Sequence, residues 1–178
     1  MLSDAPVLID TCTLINMQAS GEPEMLLSHL SGSCMVCDVV SRESLYLRAE
    51  QIDLPPQPID LDPLFRAGRL QLCSADTPEE EALFVALAAE LDDGEALSLA
   101  ISSRRGYGLA TDDRKARRIA KEIGNVPLFS TAEILHSINP LSAERLRELI
   151  RRIEIRARFA PHPTMPLCDW WNALRSKS

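Results

Sequence analysis

Residues 7–16 read Val7-Leu-Ile-Asp-Thr-Cys-Thr-Leu-Ile-Asn16 and place an aspartate directly after an apolar run. The three leading apolar residues predict a short buried strand that ends at Asp10. The small polar residues Thr11 and Thr13 then begin a helix. Open α/β sheets bind ligands beyond the carboxyl ends of their strands, so we expect Asp10 to lie at a functional site.

The size and composition of the chain indicate one domain with a substantial core. It has 178 residues, of which 46% are hydrophobic. No apolar run reaches the roughly 18 residues of a membrane span, and the N-terminus lacks the features of a signal peptide. The five scattered cysteines favour reduced thiols, and Cys34 and Cys37 are expected to be buried rather than metal-binding. We therefore expect a cytoplasmic protein that does not contact a membrane.

The net charge of −7 hides an asymmetry along the chain. Residues 1–100 contain 18 acidic and 4 basic side chains, a net charge of −14. Residues 101–178 contain 8 acidic and 15 basic side chains, a net charge of +7. This distribution allows a basic face beside an acidic pocket, as a nucleic-acid-binding protein needs, but solvated helix faces of different sign explain it equally well.

Short apolar segments alternate with helical patterns along the chain. Strands are predicted at residues 7–9, 33–37, 69–73, 106–111 and 126–130. A helix is predicted over residues 39–50, with Asp38 as its N-cap. This rhythm predicts an α/β fold, a three-layer α/β/α sandwich with a central, mostly parallel sheet. No glycine-rich phosphate loop follows the first strand, which excludes the commonest nucleotide-binding forms of that fold.

Acidic residues follow two predicted strands and begin two predicted helices. Asp112 and Asp113 follow a strand, as Asp10 does, while Glu43 and Glu95 lie near helix starts. Glu43 has an alternative interpretation as an exposed helix glutamate. In the cluster Asp92-Asp-Gly-Glu95, one acid, Asp93 by our prediction, only caps the following helix.

Carboxylates that converge on one site need a compensating cation, because like charges in contact disfavour each other's ionised form. Oxygen ligands without histidine or cysteine suit Mg²⁺ or Mn²⁺ better than zinc. Such a site is suited to phosphodiester hydrolysis, in which metal ions activate water and stabilise charge on the phosphate.

In these residues the chain resembles the PIN domain family. Its members place acids after strand one, in the helix after strand two, at the start of the helix before strand four, and after strand four. The corresponding segments here are Asp10-Thr-Cys-Thr-Leu-Ile-Asn16, Val40-Ser-Arg-Glu43, Asp93-Gly-Glu-Ala96 and Thr111-Asp-Asp-Arg114. The resemblance covers residues 6–138 and is greatest to small prokaryotic PIN proteins similar to VapC-like toxin ribonucleases. It implies a PIN-like nuclease domain over residues 1–140, with residues 141–178 as a helical arm and tail packing on the same domain.

The resemblance implies a Mg²⁺- or Mn²⁺-dependent enzyme that cuts single-stranded regions of RNA, as the toxin partner of a small antitoxin. It assigns metal binding to Asp10, Glu95 and Asp112, with Glu43 and Asp113 as further catalytic acids. Asp92 and Asp93 compete with Glu95 for the third metal-binding position. Cys12 stands where serine or asparagine is more usual, which leaves the hydrogen bonding around Asp10 open.

Substrate contacts are expected from two groups of residues, hydrogen-bonding side chains near the acids and the basic helix after Asp113. They are Thr11, Asn16, Thr111, Arg114, Lys115 and Arg118. The alternative for the basic helix is a solvated face whose arginines pair with glutamates such as Glu122. We also expect a homodimer.

Two other functions fit parts of the pattern. A PIN fold that keeps its acids but is catalytically weak or inactive could serve as an RNA- or protein-binding module. A receiver-like or phosphatase domain also has aspartates at strand ends, but it needs a lysine after a late strand, where this chain has Ser130-Thr131.

Overall fold

The structure, a computed structural model, describes residues 1–42, 45–49, 55–138 and 141–176. The strands in these ranges are β1 (Val7–Ile9), β2 (Cys34–Cys37), β3 (Tyr46–Leu47), β4 (Gln57–Pro58), β5 (Gln71–Cys73), β6 (Gly108–Ala110) and β7 (Leu128–Phe129). The helices are α1 (Thr11–Ser20), α2 (Pro23–Leu30), α3 (Asp38–Arg42), α4 (Asp62–Arg66), α5 (Pro78–Leu87), α6 (Asp93–Arg105), α7 (Arg114–Ile123), α8 (Thr131–Ser137), α9 (Ala143–Arg156) and α10 (Cys168–Arg175).

Five strands form a parallel central sheet in the order β5-β2-β1-β6-β7. Helices flank this sheet, so the predicted three-layer α/β/α fold is confirmed. The central strand, β1, is completely buried, as its uninterrupted apolar sequence predicts. The strand predicted at residues 69–73 is also confirmed as β5, which lies at one edge of the sheet.

The register of the sheet brings the ends of β1 and β6 side by side. Ile9 pairs with Ala110, so the residues that follow each of them leave the sheet at the same edge. Gly108 permits the close approach of β6 to its neighbours, because a Cβ there would lie 2.7 Å from a ring carbon of Phe129 and 3.1 Å from Val7.

Small residues let α6 pack closely against the sheet. Gly94, Ala96, Ser98 and Ala100 are all buried. The far end of α6 is fixed to α5 by an ion pair in which Arg105 Nε lies 2.6 Å from Glu80 Oε1. The hydrogen bonds from Arg105 lower the pKa of the Glu80 carboxyl to about 2. This contact and the packed small residues together fix the position of the first turn of α6, which carries Glu95.

The helix predicted over residues 39–50 is wrong at Tyr46–Leu47, which form β3. Asp38 is the first residue of α3 rather than its N-cap, the described part of the helix is Asp38–Arg42, and β3 pairs antiparallel with β4. The reason is a period of two in the burial pattern, because Leu45 and Leu47 are buried while Tyr46 is exposed. Glu43 lies outside the described residues.

The C-terminal arm packs on the rest of the chain through α9, which contacts α1, and through α10, which contacts α9. Trp171 on α10 is fully buried. Its indole Nε1 donates a hydrogen bond of 3.0 Å to Glu154, and its ring packs edge-on against Phe159 with ring centres 5.7 Å apart. The division of the chain at residue 140 stays a prediction.

The described cysteines are free thiols, in agreement with the prediction. Cys34 and Cys37 are both buried, and each forms a local hydrogen bond, Cys34 to the Leu27 carbonyl and Cys37 with the Ser98 hydroxyl. Within the described part of the chain, no helix is both long enough and apolar enough to cross a membrane.

Candidate metal centre

Two carboxylates, those of Asp10 and Asp112, meet at the adjoining ends of β1 and β6. Both accept hydrogen bonds from Thr13 in the first turn of α1. The Thr13 backbone N–H donates to Asp10 Oδ1 at 2.8 Å, and its hydroxyl donates to Asp112 Oδ2 at 3.5 Å. The strand ends therefore bring two acids together that are 102 positions apart in the sequence.

Asp10 is only 1% exposed and is the N-cap of α1. The thiol of Cys12 lies 3.2 and 3.1 Å from its two carboxylate oxygens, and the Thr111 side chain also bonds to it. Burial nevertheless raises the pKa of Asp10 above its usual range, because these neutral donors compensate only part of the lost hydration.

Asp112 is held by α8 and α1 together. The Thr131 backbone N–H donates to Asp112 Oδ1 at 3.0 Å, and the Thr131 hydroxyl donates to Oδ2. Asn16 Nδ2 donates to the same Oδ2 at 3.1 Å. Burial, followed by the nearby charge of Asp10, raises the pKa of Asp112 to about 6 despite these three donors.

Glu95 lies in the first turn of α6 and is the third acid of this region. Burial raises its pKa to about 7, and the charges of Asp113, Asp92 and Asp10 act in the same direction. The helix cap is Asp92, whose Oδ1 accepts from the Glu95 N–H at 2.8 Å, so the prediction of Asp93 as the cap is wrong. Asp92 and Asp93 are exposed, whereas Glu95 is half-buried, which makes Glu95 the acid of this cluster that faces the others.

Asp113 caps the basic helix. Its Oδ1 accepts from the backbone N–H groups of Lys115 at 2.7 Å and Ala116 at 2.8 Å, and its own N–H donates to the Thr111 hydroxyl. The carboxylate is thus oriented by α7 and contributes negative charge beside Glu95.

The predicted hydrogen-bonding residues divide into two groups. Asn16 and Thr111 contact Asp112 and Asp10 respectively, while Thr11 is the half-buried first residue of α1. The predicted basic residues contact other groups: Arg114 Nη1 lies 3.2 Å from His162 Nε2, Lys115 donates to the Glu90 carbonyl, and Arg118 pairs with Glu122 at 2.7 Å. For Arg118 this is the pairing that the alternative interpretation expected.

Sequence reasoning missed Thr13 and Thr131, the two threonines that position the acids. A signal for Thr131 was present, because Ser130-Thr-Ala-Glu133 has the form of a capping box directly after a strand. The structure has this capping box at the start of α8. Thr13 carries no comparable signal, since its contact with Asp112 spans 99 positions.

The chemistry of these residues fits a hard divalent cation. Their side chains offer carboxylate, hydroxyl and amide oxygens, and among the described residues no arginine or lysine forms an ion pair with Asp10, Glu95 or Asp112. In the same ranges, no three Asp, Glu, His or Cys side chains form a group that could hold a metal ion. Mg²⁺ usually retains several waters and needs only one or two carboxylates, so the pair Asp10 and Asp112 suffices for such an ion.

Comparison with known proteins gave one informative match. A family model described as a PIN domain matches residues 6–154. No curated protein and no solved structure matches the chain. PIN domains are typically nucleases, and these generally use divalent metal ions, in keeping with strand-end acids that pair with no cation among the described residues. Since the match covers most of its length, the chain belongs to the PIN domain family.

Proposed function

We propose that this PIN domain is a metal-dependent endoribonuclease that hydrolyses phosphodiester bonds of RNA. The observation that carries the proposal is the pair of carboxylates, Asp10 and Asp112, that share the donor Thr13 at two adjoining strand ends. A protein that keeps two such acids without a basic partner loses stability, because burial disfavours their charged forms. A bound cation offsets that loss and explains why the acids are retained.

Asp10, Asp112 and Glu95 are the proposed ligands of Mg²⁺ or Mn²⁺. The ion, when bound, would supply a nucleophilic water and neutralise charge on the attacked phosphate. The chain itself fixes the orientation of its ligands. Thr13 and Cys12 hold Asp10, and Thr131 and Asn16 hold Asp112.

Glu95 differs from the two aspartates because a helix, and not a strand end, carries it. Its pKa of about 7 makes it the acid whose protonation changes near neutral pH. We propose that Asp113 supports it by keeping negative charge beside it while capping α7.

RNA as the substrate, a small antitoxin as partner and a homodimeric state belong to this proposal. They are supported by the resemblance to VapC-like ribonucleases and by the basic residues of α7, whose first member follows Asp113 directly. The exposed side chains of Arg114, Lys115 and Arg118 are the proposed phosphate contacts nearest to the acids.

The test is cleavage of total RNA by the purified protein with Mg²⁺ or Mn²⁺, with EDTA as the metal-free reference. Asp10→Asn should reduce the cleavage rate by about 100-fold or more, because it removes a charge that the reaction needs while keeping the side chain's shape. Asp169→Asn, at an exposed acid on α10, is the matched control and should leave the rate unchanged. Equal rates for the parent and Asp10→Asn, or no cleavage with either metal, would overturn the proposal.

One observation favours the second candidate, a catalytically weak PIN-fold binding module. Within the described residues the acids do not form a ready group of three ligands. This candidate predicts RNA binding that survives EDTA and is the same for the parent and Asp10→Asn, with no cleavage by either.

A further inference from the structure

We propose that the C-terminal arm completes a cleft for single-stranded RNA, in which phosphates beyond the cleavage point bind between α7 and residues 164–166. The inference rests on the proposed function, since it assigns the path of the RNA strand away from the acids. A cleft of about 440 Å³ lies between these two segments, and we call it the arm cleft. The family match ends at residue 154, so one wall of the arm cleft is built by sequence outside that match.

The two walls of the arm cleft have different chemistry. The α7 wall carries Arg114, Arg117, Arg118 and Lys121, together with one acid, Glu122. This spacing of i, i+3, i+4 and i+7 places four cations on one face of the helix. The opposite wall consists of Thr164, Met165 and Pro166, which offer a hydroxyl and apolar surface. A basic wall facing a mostly apolar one suits a strand with phosphates on one side and bases on the other.

The arm cleft begins where the acidic site ends. Arg114 is the first residue of α7 and follows Asp112 by two positions. Arg117 is 6% exposed, and its Nη1 donates to the Thr111 carbonyl at 3.0 Å. The side chain of that same Thr111 bonds to Asp10. From Arg114 the basic face extends about 10 Å along the helix axis to Lys121.

The charges on this face are only partly compensated. Arg117 lies 3.5 Å from Glu133, and Arg118 pairs with Glu122 and Glu90. For Arg114 and Lys121, no carboxylate among the described residues forms an ion pair. The cations at the two ends of the stripe therefore retain charge for a ligand. An RNA strand with its scissile phosphate at a metal ion held by the acids would pass Arg114 and then Lys121, whereas an acidic polypeptide has no phosphodiester for that site to cleave.

The arm holds its wall in place before any ligand arrives. Met165 is 8% exposed, Trp171 is fully buried, and the His162 ring contacts both Arg114 and Thr164, at 3.2 and 2.9 Å. Because these contacts already order the wall, RNA binding costs no additional free energy for ordering that wall.

Lys121→Glu tests the basic wall, with Arg104→Glu as the matched control. Arg104 is exposed at the other end of α6 from Glu95, and its variant changes the net charge equally. The measurement is fluorescence anisotropy of a labelled 12-nucleotide oligouridylate in EDTA. The Lys121→Glu variant should bind the oligouridylate about 10-fold more weakly than the Arg104→Glu variant. In a plot of log affinity against log salt concentration, its slope should be smaller by about 0.7, because one phosphate contact is lost. Equal affinities for the two variants would overturn the proposal.

Thr164→Glu tests the arm's wall, with Ala173→Glu as its control. Both place a carboxylate on the arm, but Ala173 is exposed on α10 and does not line the arm cleft. Only Thr164→Glu should weaken oligouridylate binding, again severalfold, with the far-ultraviolet spectrum unchanged. A result in which both basic-wall and arm-wall variants keep RNA affinity but lose affinity for polyglutamate would contradict the RNA assignment.

The arm-cleft proposal and the nuclease proposal are tested by different measurements, RNA affinity and RNA cleavage. Binding in EDTA does not depend on cleavage, so an inactive protein that still loses affinity in Lys121→Glu supports the arm cleft. Conversely, normal metal-dependent cleavage together with unchanged oligouridylate affinity in both Lys121→Glu and Thr164→Glu would overturn the arm-cleft proposal. The nuclease proposal would then still stand.

Discussion

Cys12 is the residue at which this chain departs from the more usual serine or asparagine. Its thiol contacts both carboxylate oxygens of Asp10, at 3.2 and 3.1 Å. Burial raises the pKa of the thiol well above its ordinary value, and the charges of Asp10 and Asp112 act in the same direction. Cys12 therefore remains a neutral donor to Asp10, the role that a serine hydroxyl would also fill.

Cys12→Ser should keep the cleavage rate within about threefold of the parent, because the serine hydroxyl can donate the same hydrogen bond. The thiol of the parent should also react slowly with iodoacetamide at neutral pH, since the thiolate is the reactive form. Initial rates and mass spectrometry of alkylated peptides measure the two effects. Rapid alkylation of Cys12, or a loss of activity in Cys12→Ser as large as in Asp10→Asn, would contradict this account.

The first turn of α8 is the element that most directly determines the geometry of Asp112. Thr131 donates to it from both backbone and side chain, and Ser130 and Glu133 form the capping box that fixes this turn. Asn16 links α1 to the same site, because its Nδ2 also donates to the Thr131 hydroxyl at 3.1 Å. Two helices that are distant in sequence thus position one carboxylate.

Thr131→Val should lower the cleavage rate about 10–100-fold, as expected when a metal ligand loses a supporting hydrogen bond. Thr131→Ser, which keeps the hydroxyl, should restore most of that loss. Ser137→Ala at the other end of α8 is the control, because its hydroxyl bonds only to the Ile134 carbonyl among the described contacts. An equal effect of the valine and serine variants would mean that the hydroxyl does not act on Asp112.

The three layers of the fold and the acids at the strand ends could be predicted from the sequence for a physical reason. Asp10 and Asp112 follow buried apolar strands, and parallel strands place their carboxyl ends at one edge. Local patterns did not determine everything. The cap of α6 is Asp92 and not Asp93, and Thr13 reaches Asp112 only after folding. Tyr46 and Leu47 form a strand because β3 pairs with β4, and no local signal specifies that pairing.

The raised pKa values of the acids make the stability of the metal-free protein depend on pH. The pKa of Glu95 rises from 4.5 to about 7 on folding, so the folded protein holds its proton more tightly. That contribution to stability is complete below about pH 4.5 and is lost as the pH rises through 7. Asp112, raised to about 6, acts in the same direction over a slightly lower range.

Glu95→Gln removes this titration without changing the shape of the side chain. In EDTA, its melting temperature relative to the parent should rise between pH 5 and pH 8 by on the order of 5 °C. Glu24→Gln, at an exposed acid on α2, should show no such trend. Thermal unfolding at the two pH values measures the difference. A Glu95→Gln advantage that shrinks with rising pH would show that Glu95 is stabilised by its charge, contrary to this account.

Calorimetric titration with Mn²⁺ at neutral pH tests whether Asp10 and Asp112 form the metal centre of a PIN nuclease. The parent should bind the ion with measurable heat, Asp112→Asn should bind at least about tenfold more weakly, and the control Asp169→Asn should match the parent. If the parent gives no binding heat even with RNA present, or if Asp112→Asn binds as tightly as the parent, that assignment is contradicted.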